Sequence, residues 1–331
     1  MTEMNRQWLL KNRPDGMVRE SDFELSSTPI PKIEEGQILV RNRTLAFEPA
    51  MRGWIDDKPN YLPPVQIGAV MRGTSIGEVI ESKREGYAPG DLVSAMTGWQ
   101  EYAVADATAR AIPTGVDPAL AISVLGLTGV TAYYGLLKIG QPKEGDTVVV
   151  SGAAGATGSV AGQIAQLRGC RVIGIAGGAQ KCEWLTSEAH FDEAIDYKNE
   201  DVDERLAALC PDGIDVFFDN VGGTILNSAL GQLAHGARIV VCGSISGYNE
   251  KERQAGPANY YNLVQKRARM EGFVILDYLP KAAEAVGDLV KWTGEGHIAW
   301  KADIQSGFEN APKTLLRLYS GSNFGKQLLE I

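Results

Sequence analysis

Histidine and cysteine are scarce in this chain, three of the one and four of the other in 331 residues. None lies in the first half: the earliest cysteine is Cys170 and the earliest histidine is His190. The N-terminal half therefore cannot supply the usual Cys/His zinc site. Cys170, Cys182, Cys210 and Cys242 form no CxxC pair and no zinc-ribbon spacing, so free thiols in a cytosolic setting are expected. His190, His235 and His297 belong to no HExxH motif and are expected to be structural or exposed. No GxSxG elbow is present, which weakens a hydrolase reading. No apolar run reaches the roughly 18 residues that a membrane span needs. Residues 1–16 have neither a long apolar core nor a cleavage-like site, so no signal peptide is expected.

What is present is ordinary globular composition, 44% hydrophobic and 22% charged with a rather high 38 glycines. This excludes a disordered, collagen-like or coiled-coil chain. At roughly 150 residues per domain, two domains are expected. The formal net charge of −9 weighs against nonspecific nucleic-acid or anionic-membrane binding, while leaving room for a local phosphate site.

The first 110 residues read as β-rich and irregular, with short apolar runs at 37–41 and 91–96 and an alternating strand at 77–81. A turn is expected at 87–91 and a Pro-rich loop at 57–64. The character changes near Pro118, where 118–139 mixes helix formers with glycine. Beyond Gly145, strands expected at 147–150, 171–175, 193–197, 214–218, 237–242 and 270–275 alternate with helices at 159–167, 179–188, 202–209, 224–233 and 281–293. That alternation predicts an α/β unit, a parallel sheet covered by helices on both faces. A last helix is expected at 311–319 and a terminal strand at 327–331.

Between the strand at 147–150 and the following helix stands Gly152-Ala153-Ala154-Gly155-Ala156-Thr157-Gly158. A glycine pattern alone is a weak signal, but between a strand and a helix it predicts a dinucleotide turn. Backbone N–H groups must reach a pyrophosphate, and a small residue must let helix and strand pack closely. After the second strand, NAD-binding chains often carry an acidic residue for the ribose. Here the stretch is Ala176-Gly177-Gly178-Ala179-Gln180-Lys181. No carboxylate in it would repel a 2′-phosphate, and Lys181 could reach one, so NADP is favoured over NAD.

The order of a β-rich half, a GxxGxxG Rossmann unit and a returning C-terminal strand resembles the medium-chain dehydrogenase/reductase superfamily. Asp219-Asn220-Val221-Gly222-Gly223, 269–273 (RMEGF), 307–312 (GFENAP) and 323–326 (NFGK) resemble its zinc-free branch of prostaglandin, 2-alkenal and curcumin reductases. The phrase at 139–145 (IGQPKEG) is similar to the bacterial members. The resemblance runs from about residue 7 to 331 and implies a GroES-like β-rich catalytic domain, 1–122 with 301–331, and a doubly wound Rossmann domain, 123–300. It implies NADPH-dependent, metal-free reduction of the C=C bond of α,β-unsaturated ketones or aldehydes. Hydride goes to the β-carbon, and the resulting enolate is held by hydrogen bonds and protonated.

The resemblance assigns Gly152, Ala154, Gly155, Ala156, Thr157 and Gly158 to the pyrophosphate turn, and Lys181, near Gly178, with Tyr197 to the 2′-phosphate. Asn220 falls beside the cofactor. Cys242, Gly243, Ser244, Ile245, Ser246 and Tyr248 fall in the loop along the ribose and nicotinamide. Phe273, Val274 and Ile275 fall on the strand backing the nicotinamide, and Asn323 on a late cofactor contact. Each also has a plainer use: Lys181 as a solvated lysine, Asn220 as a turn cap, Cys242 as a small buried hydrophobe, Asn323 as a turn residue. The chain departs from the branch at Glu48-Pro49-Ala50-Met51-Arg52, where Ala50 replaces a common tyrosine, and at Gln265, where plant members carry another. A roomier pocket beside Ala50 is expected, with Trp54, Tyr61 and Tyr260 as further wall residues. Tyr248 becomes the candidate proton donor, since a phenol of pKa about 10 stays protonated at neutral pH. The alternatives are an NADPH quinone reductase of the same superfamily and a nucleotide-binding protein without turnover. A cytoplasmic homodimer is expected by analogy, pairing through an edge strand near Met270.

Overall fold

Seven short strands open the chain in the computed structural model, which describes residues 4–252 and 255–331. They are β1 (Met4–Leu10), β2 (Phe23–Pro29), β3 (Ile38–Ala46), β4 (Ser75–Ser82), β5 (Leu92–Ala95), β6 (Tyr102–Ala105) and β7 (Arg110–Ala111), with the one-turn helix α1 (Met51–Trp54) after β3. β1 and β2 form their own antiparallel ribbon. Helix α2 (Pro118–Ile122) ends this part.

Then come α3 (Leu127–Tyr134), a π-turn at Gly135–Gly140, and an alternating series: β8 (Thr147–Ser151), α4 (Ala156–Leu167), β9 (Arg171–Ala176), α5 (Ala179–Ser187), β10 (Glu193–Asp196), α6 (Val202–Leu209), β11 (Ile214–Asp219), α7 (Gly223–Gly231), β12 (Leu233–Val241), α8 (Asn262–Lys266) and β13 (Arg269–Gly272). Helix α9 (Ala282–Gly294), strand β14 (Ala302–Ser306), helix α10 (Ala311–Tyr319) and strand β15 (Lys326–Glu330) finish the chain. It divides into two units, Met1–Ile122 with Ala302–Ile331, and Ser123–Lys301.

In the second unit six strands lie in the order β10-β9-β8-β11-β12-β13, all parallel. This is the doubly wound order, in which the chain reverses its direction of travel between β8 and β11. Val148, Val149 and Val150 have no solvent exposure. Such full burial stabilises by about 1.5–3 kcal/mol per side chain and requires cover on both faces. Val149 packs with Ile173, Phe217 and Leu230 on one side, while Gly140 on the π-turn approaches Val216 and Val240.

Two expected boundaries are corrected. The helix expected at 224–233 stops at Gly231, and Leu233, 1% exposed, already pairs with Ile214 as the start of a longer β12. The strand expected at 270–275 covers only Arg269–Gly272. Phe273 and Val274 lie beyond the strand, and Ile275 begins a 3-10 stretch reaching Lys281. The reason is at the sheet edge: β13 has a neighbour on one side only. The Phe273 ring leaves the sheet line to cover Gly135, 2.5 Å from where a Cβ there would stand.

In the first unit the sheet order is β14-β15-β3-β4-β5-β7, with β6 also paired to β3. β14 and β15 are parallel, and the other pairs antiparallel. Its largest core joins Leu10, Phe47, Met51, Trp54, Trp99 and Phe308, so α1 is seated by burial of Met51 and Trp54.

Candidate active site

The site in the second unit starts where β8 ends. Gly152 has φ +59, a left-handed conformation that favours glycine. Gly155 N donates to Gly152 O at 3.0 Å, and Gly155 is the N-cap of α4, which has no side-chain cap. First-turn N–H groups of such a helix lack intrahelical partners and suit an anion. A Cβ on Gly158 would stand 2.4 Å from Gly152 O, so only glycine lets α4 pack on this turn. Ala154 is buried, and Ala156 and Thr157 are half-buried in the first turn of α4.

Across the reversal point, Ser151 and Asp219 end the neighbouring strands. The Ser151 hydroxyl donates to Asp219 Oδ1 at 2.7 Å and accepts from Asn220 N at 2.8 Å. Asn220 Nδ2 donates to Ser151 O at 2.7 Å, so Asn220 laces the two strand ends together. Asp219 also accepts from Val221 N and Gly222 N at 3.0 Å. Burial pushes its carboxyl above the ordinary value, against the pull of these backbone bonds and of Ser151.

The 242–248 loop folds over this point. Cys242 N and Gly243 N donate to Asp219 O. Burial pushes the Cys242 thiol up to about 12, and the nearby charge of Asp219 adds to it. Ile245 N reaches Asn220 O, and Ser246 Oγ donates to Val221 O at 2.7 Å. Ser244 N donates to Tyr248 Oη at 3.2 Å, and that oxygen lies 3.2 Å from where a Cβ on Gly243 would stand. The structure thus brings Gly152, Asn220, Gly243, Ser244 and Tyr248 to one end of β8 and β11.

A second corner forms after β9. Gly178, with φ +96, is the N-cap of α5, whose first turn carries Lys181. A Cβ on Gly177 would stand 2.8 Å from Tyr197 Cε1 and 2.9 Å from Lys198 Cε, so both side chains cross the same backbone. The stretch 176–181 has no carboxylate, as expected, but β10 delivers one that spacing did not reveal. Asp196 accepts from Gly178 N at 2.7 Å, Lys198 N at 3.1 Å and Asn199 Nδ2 at 2.7 Å. Burial raises its carboxyl, but these bonds and the Lys198 charge outweigh burial and hold it below the ordinary value. Its oxygens are committed to the turn. Lys198 and Asp196 went unread in the sequence; the signal was the Asp-Tyr-Lys run closing the third Rossmann strand.

The first unit holds Ala50, Trp54, Tyr61 and Asn323. Ala50 is the N-cap of α1 and packs beside Trp54 on the largest core. Trp54 Nε1 donates to Tyr61 Oη at 3.3 Å, so these two meet. Asn323 Nδ2 donates to Gly325 O at 3.1 Å, within its own turn. Tyr260, in the second unit, is 63% exposed. Its segment is tied to α7 through Asn259 Nδ2 and Asn227 O. Among the described residues, no three His, Cys, Asp or Glu side chains gather to hold a metal ion. No helix among them is long and apolar enough to cross a membrane.

Residues 6–112 match a model described as the N-terminal domain of oxidoreductase, and residues 156–292 one described as zinc-binding dehydrogenase. The NADPH-dependent curcumin reductase of Escherichia coli (strain K12) is 41% identical over 336 residues, covering 99% of this chain and 97% of that protein. The chain belongs to the medium-chain dehydrogenase/reductase family. Within it, the NADP(+)-dependent 2-alkenal reductase of Nicotiana tabacum is 38% identical over 338 residues, covering 99% of this chain and 97% of its own. The crystal structure of CurA from Vibrio vulnificus in complex with NADPH superposes with a TM-score of 0.94 at 42% identity, covering 98% of each chain. Resemblance to the curcumin and 2-alkenal reductase branch, read from the motifs, agrees with these relatives.

Proposed function

We propose that this protein reduces the C=C bond of α,β-unsaturated ketones or aldehydes with NADPH. The observation that carries this reading is likeness over the full chain to a curcumin reductase and a 2-alkenal reductase. Curcumin and 2-alkenals share a C=C bond conjugated to a carbonyl. The residues fit the cofactor: a cradle at Gly158 that a Cβ would fill, an uncapped α4, and a corner with two lysines. NADPH, when bound, supplies the hydride that adds to the β-carbon.

The chain's own residues then have these roles. N–H groups of 155–158 hold the pyrophosphate. Lys181, Tyr197 and Lys198 hold the 2′-phosphate, and Asp196 positions Gly178 at the head of α5. Asn220, Cys242, Gly243, Ser244, Ile245 and Ser246 line the ribose and nicotinamide, with Phe273, Val274 and Ile275 as further contacts. Tyr248 hydrogen-bonds the carbonyl oxygen and delivers the proton, directly or through water. Its oxygen accepts from Ser244 N at 3.2 Å. Ala50, Trp54 and Tyr61 are the first unit's wall for the substrate, roomier beside Ala50 than a tyrosine would leave it. The first unit is the substrate domain, and the second is the NADPH domain and also carries Tyr248.

No zinc is required in this reading, since the first half of the chain has no Cys or His. Four free thiols suit the cytoplasm. The exposed edge strand β13 suits pairing with a second copy in a homodimer; a monomer mass by light scattering would remove that part. The test of function is NADPH oxidation with an enone, an enal and a quinone in parallel, each repeated with NADH. Fast turnover of enone or enal with NADPH is expected. Turnover of the quinone alone would replace this reading with a quinone reductase.

A further inference from the structure

One buried carboxylate in the second unit has no part in the roles above. Asp219, at the end of β11, is 1% exposed, and Ser151, at the end of β8, is fully buried. The carboxylate meets hydroxyl and peptide donors: Ser151 Oγ at 2.7 Å, and Val221 N and Gly222 N at 3.0 Å, with Gly222 N also 3.2 Å from Oδ2. A carboxylate taken out of water persists only where such donors replace its lost hydration. These bonds tie the 220–222 turn to the strand end.

The turn carries the loop at 242–248. Asn220 O accepts from Ile245 N at 3.2 Å, and Val221 O accepts from Ser246 N at 3.1 Å and from Ser246 Oγ at 2.7 Å. The main-chain oxygen of Asp219 holds the start of the loop, through Cys242 N at 2.9 Å and Gly243 N at 3.0 Å. Gly222, at φ +72, comes so near that a Cβ on it would stand 2.5 Å from Ser244 Oγ. Ser244 N then donates to Tyr248 Oη at 3.2 Å. A continuous series of contacts therefore runs from the Ser151 hydroxyl through Asp219 to the phenol. The corner after β9 has an anchor of its own, Asp196, which accepts from Gly178 N and Lys198 N.

We propose that Asp219, held by Ser151, is a positioning residue for Tyr248. Its carboxylate fixes the turn, the turn fixes the loop, and the loop places the phenol that meets the substrate oxygen. The proposal rests on the double-bond reductase reading and on Tyr248 as proton donor. Asp219 itself touches neither substrate nor cofactor in this scheme, and the 2′-phosphate corner is independent of it.

The test is a double-mutant cycle of Asp219→Asn and Tyr248→Phe, with NADPH and a small enone, alongside calorimetric binding of 2′,5′-ADP. Asn is close to Asp in shape but cannot offer two oxygens to the backbone N–H groups. Asp219→Asn should lower kcat by on the order of tenfold, the scale of loss for a slightly misplaced group. Its Kd for 2′,5′-ADP should stay within about twofold of wild type, and in the Tyr248→Phe background it should change kcat by less than about twofold, since the group it places is gone. Unchanged kcat in Asp219→Asn, losses that multiply in the double variant, or a matching loss of 2′,5′-ADP binding would each reduce Asp219 to a fold element and overturn the proposal, while the donor reading stands. If Asp219→Asn does not fold, the same cycle with Ser151→Ala decides. Tyr248→Phe turning over as fast as wild type removes the donor reading and the positioning with it. A wild type that turns over neither enone nor enal removes the reductase reading as well.

Discussion

Ser151 and Asp219 are 68 residues apart in sequence, yet their side chains meet at 2.7 Å across the ends of β8 and β11. The contact fixes the point where the sheet reverses its winding, which is where dinucleotides bind in doubly wound folds. Because Ser151 is both donor to Asp219 and acceptor from Asn220 N, one hydroxyl satisfies two otherwise buried groups.

Ser151→Ala should therefore destabilise the fold by about 1–3 kcal/mol, the range for leaving buried polar groups unsatisfied. The sign of its pH dependence follows from Asp219. A carboxyl raised in the folded state loses stability as pH climbs from the unfolded value, about 3.9, through the folded one. Losing Ser151 raises it further, so the deficit should be smallest in acid and grow as pH rises. Urea unfolding of both proteins from pH 4 upward measures this; a deficit constant in pH would count against it.

At the second corner, Lys181→Ala should lower the preference for NADPH over NADH by about tenfold or more, through loss of a charge-assisted contact. The change should lie in KM for NADPH, with KM for NADH nearly untouched. Steady-state kinetics with both cofactors decides. An equal effect on the two would return Lys181 to the role of a solvated lysine.

Asp196 makes the opposite pH prediction to Asp219. Its folded carboxyl lies below the ordinary value, so its contribution is present above about pH 3.9 and is lost as pH falls through the lowered value. Asp196→Asn should melt below the wild type at pH 7 and approach it at pH 3. Thermal melts across that range suffice, and parallel curves would contradict the assignment.

Tyr248→Phe should reduce kcat by about 10–100-fold, the usual scale for losing a positioned acid. KM for NADPH should change little, because the role proposed for the phenol lies at the substrate oxygen. An unchanged kcat would leave Tyr248 as a wall of the pocket.

The Rossmann half was legible because burial on both faces leaves a plain record: Thr147-Val148-Val149-Val150 followed by the glycine turn admits few other readings. The glycine turn and Lys181 stood out by their offsets from strand ends, whereas Tyr197 and Asn220 entered through the resemblance alone. Ser151, Asp219, Asp196 and Lys198 were harder to see. Their importance comes from strand order, which puts β8 beside β11 and β10 beside β9, and no local pattern states that order. β14 is half-exposed and pairs in parallel with β15, so it lacked clear alternation. The extended run at 270–275 misled because sequence does not mark Phe273 as a cover for Gly135.

The thiol beside the candidate nicotinamide loop has a consequence for durability. Compounds with a C=C bond conjugated to a carbonyl alkylate cysteines, and the reacting form is the thiolate. Cys242 is pushed up to about 12, chiefly by burial, which disfavours its thiolate at neutral pH. Cys170, Cys182 and Cys210 are likewise raised to about 11, each chiefly by burial. Raised thiols of this kind react more slowly with such electrophiles than an ordinary exposed cysteine does.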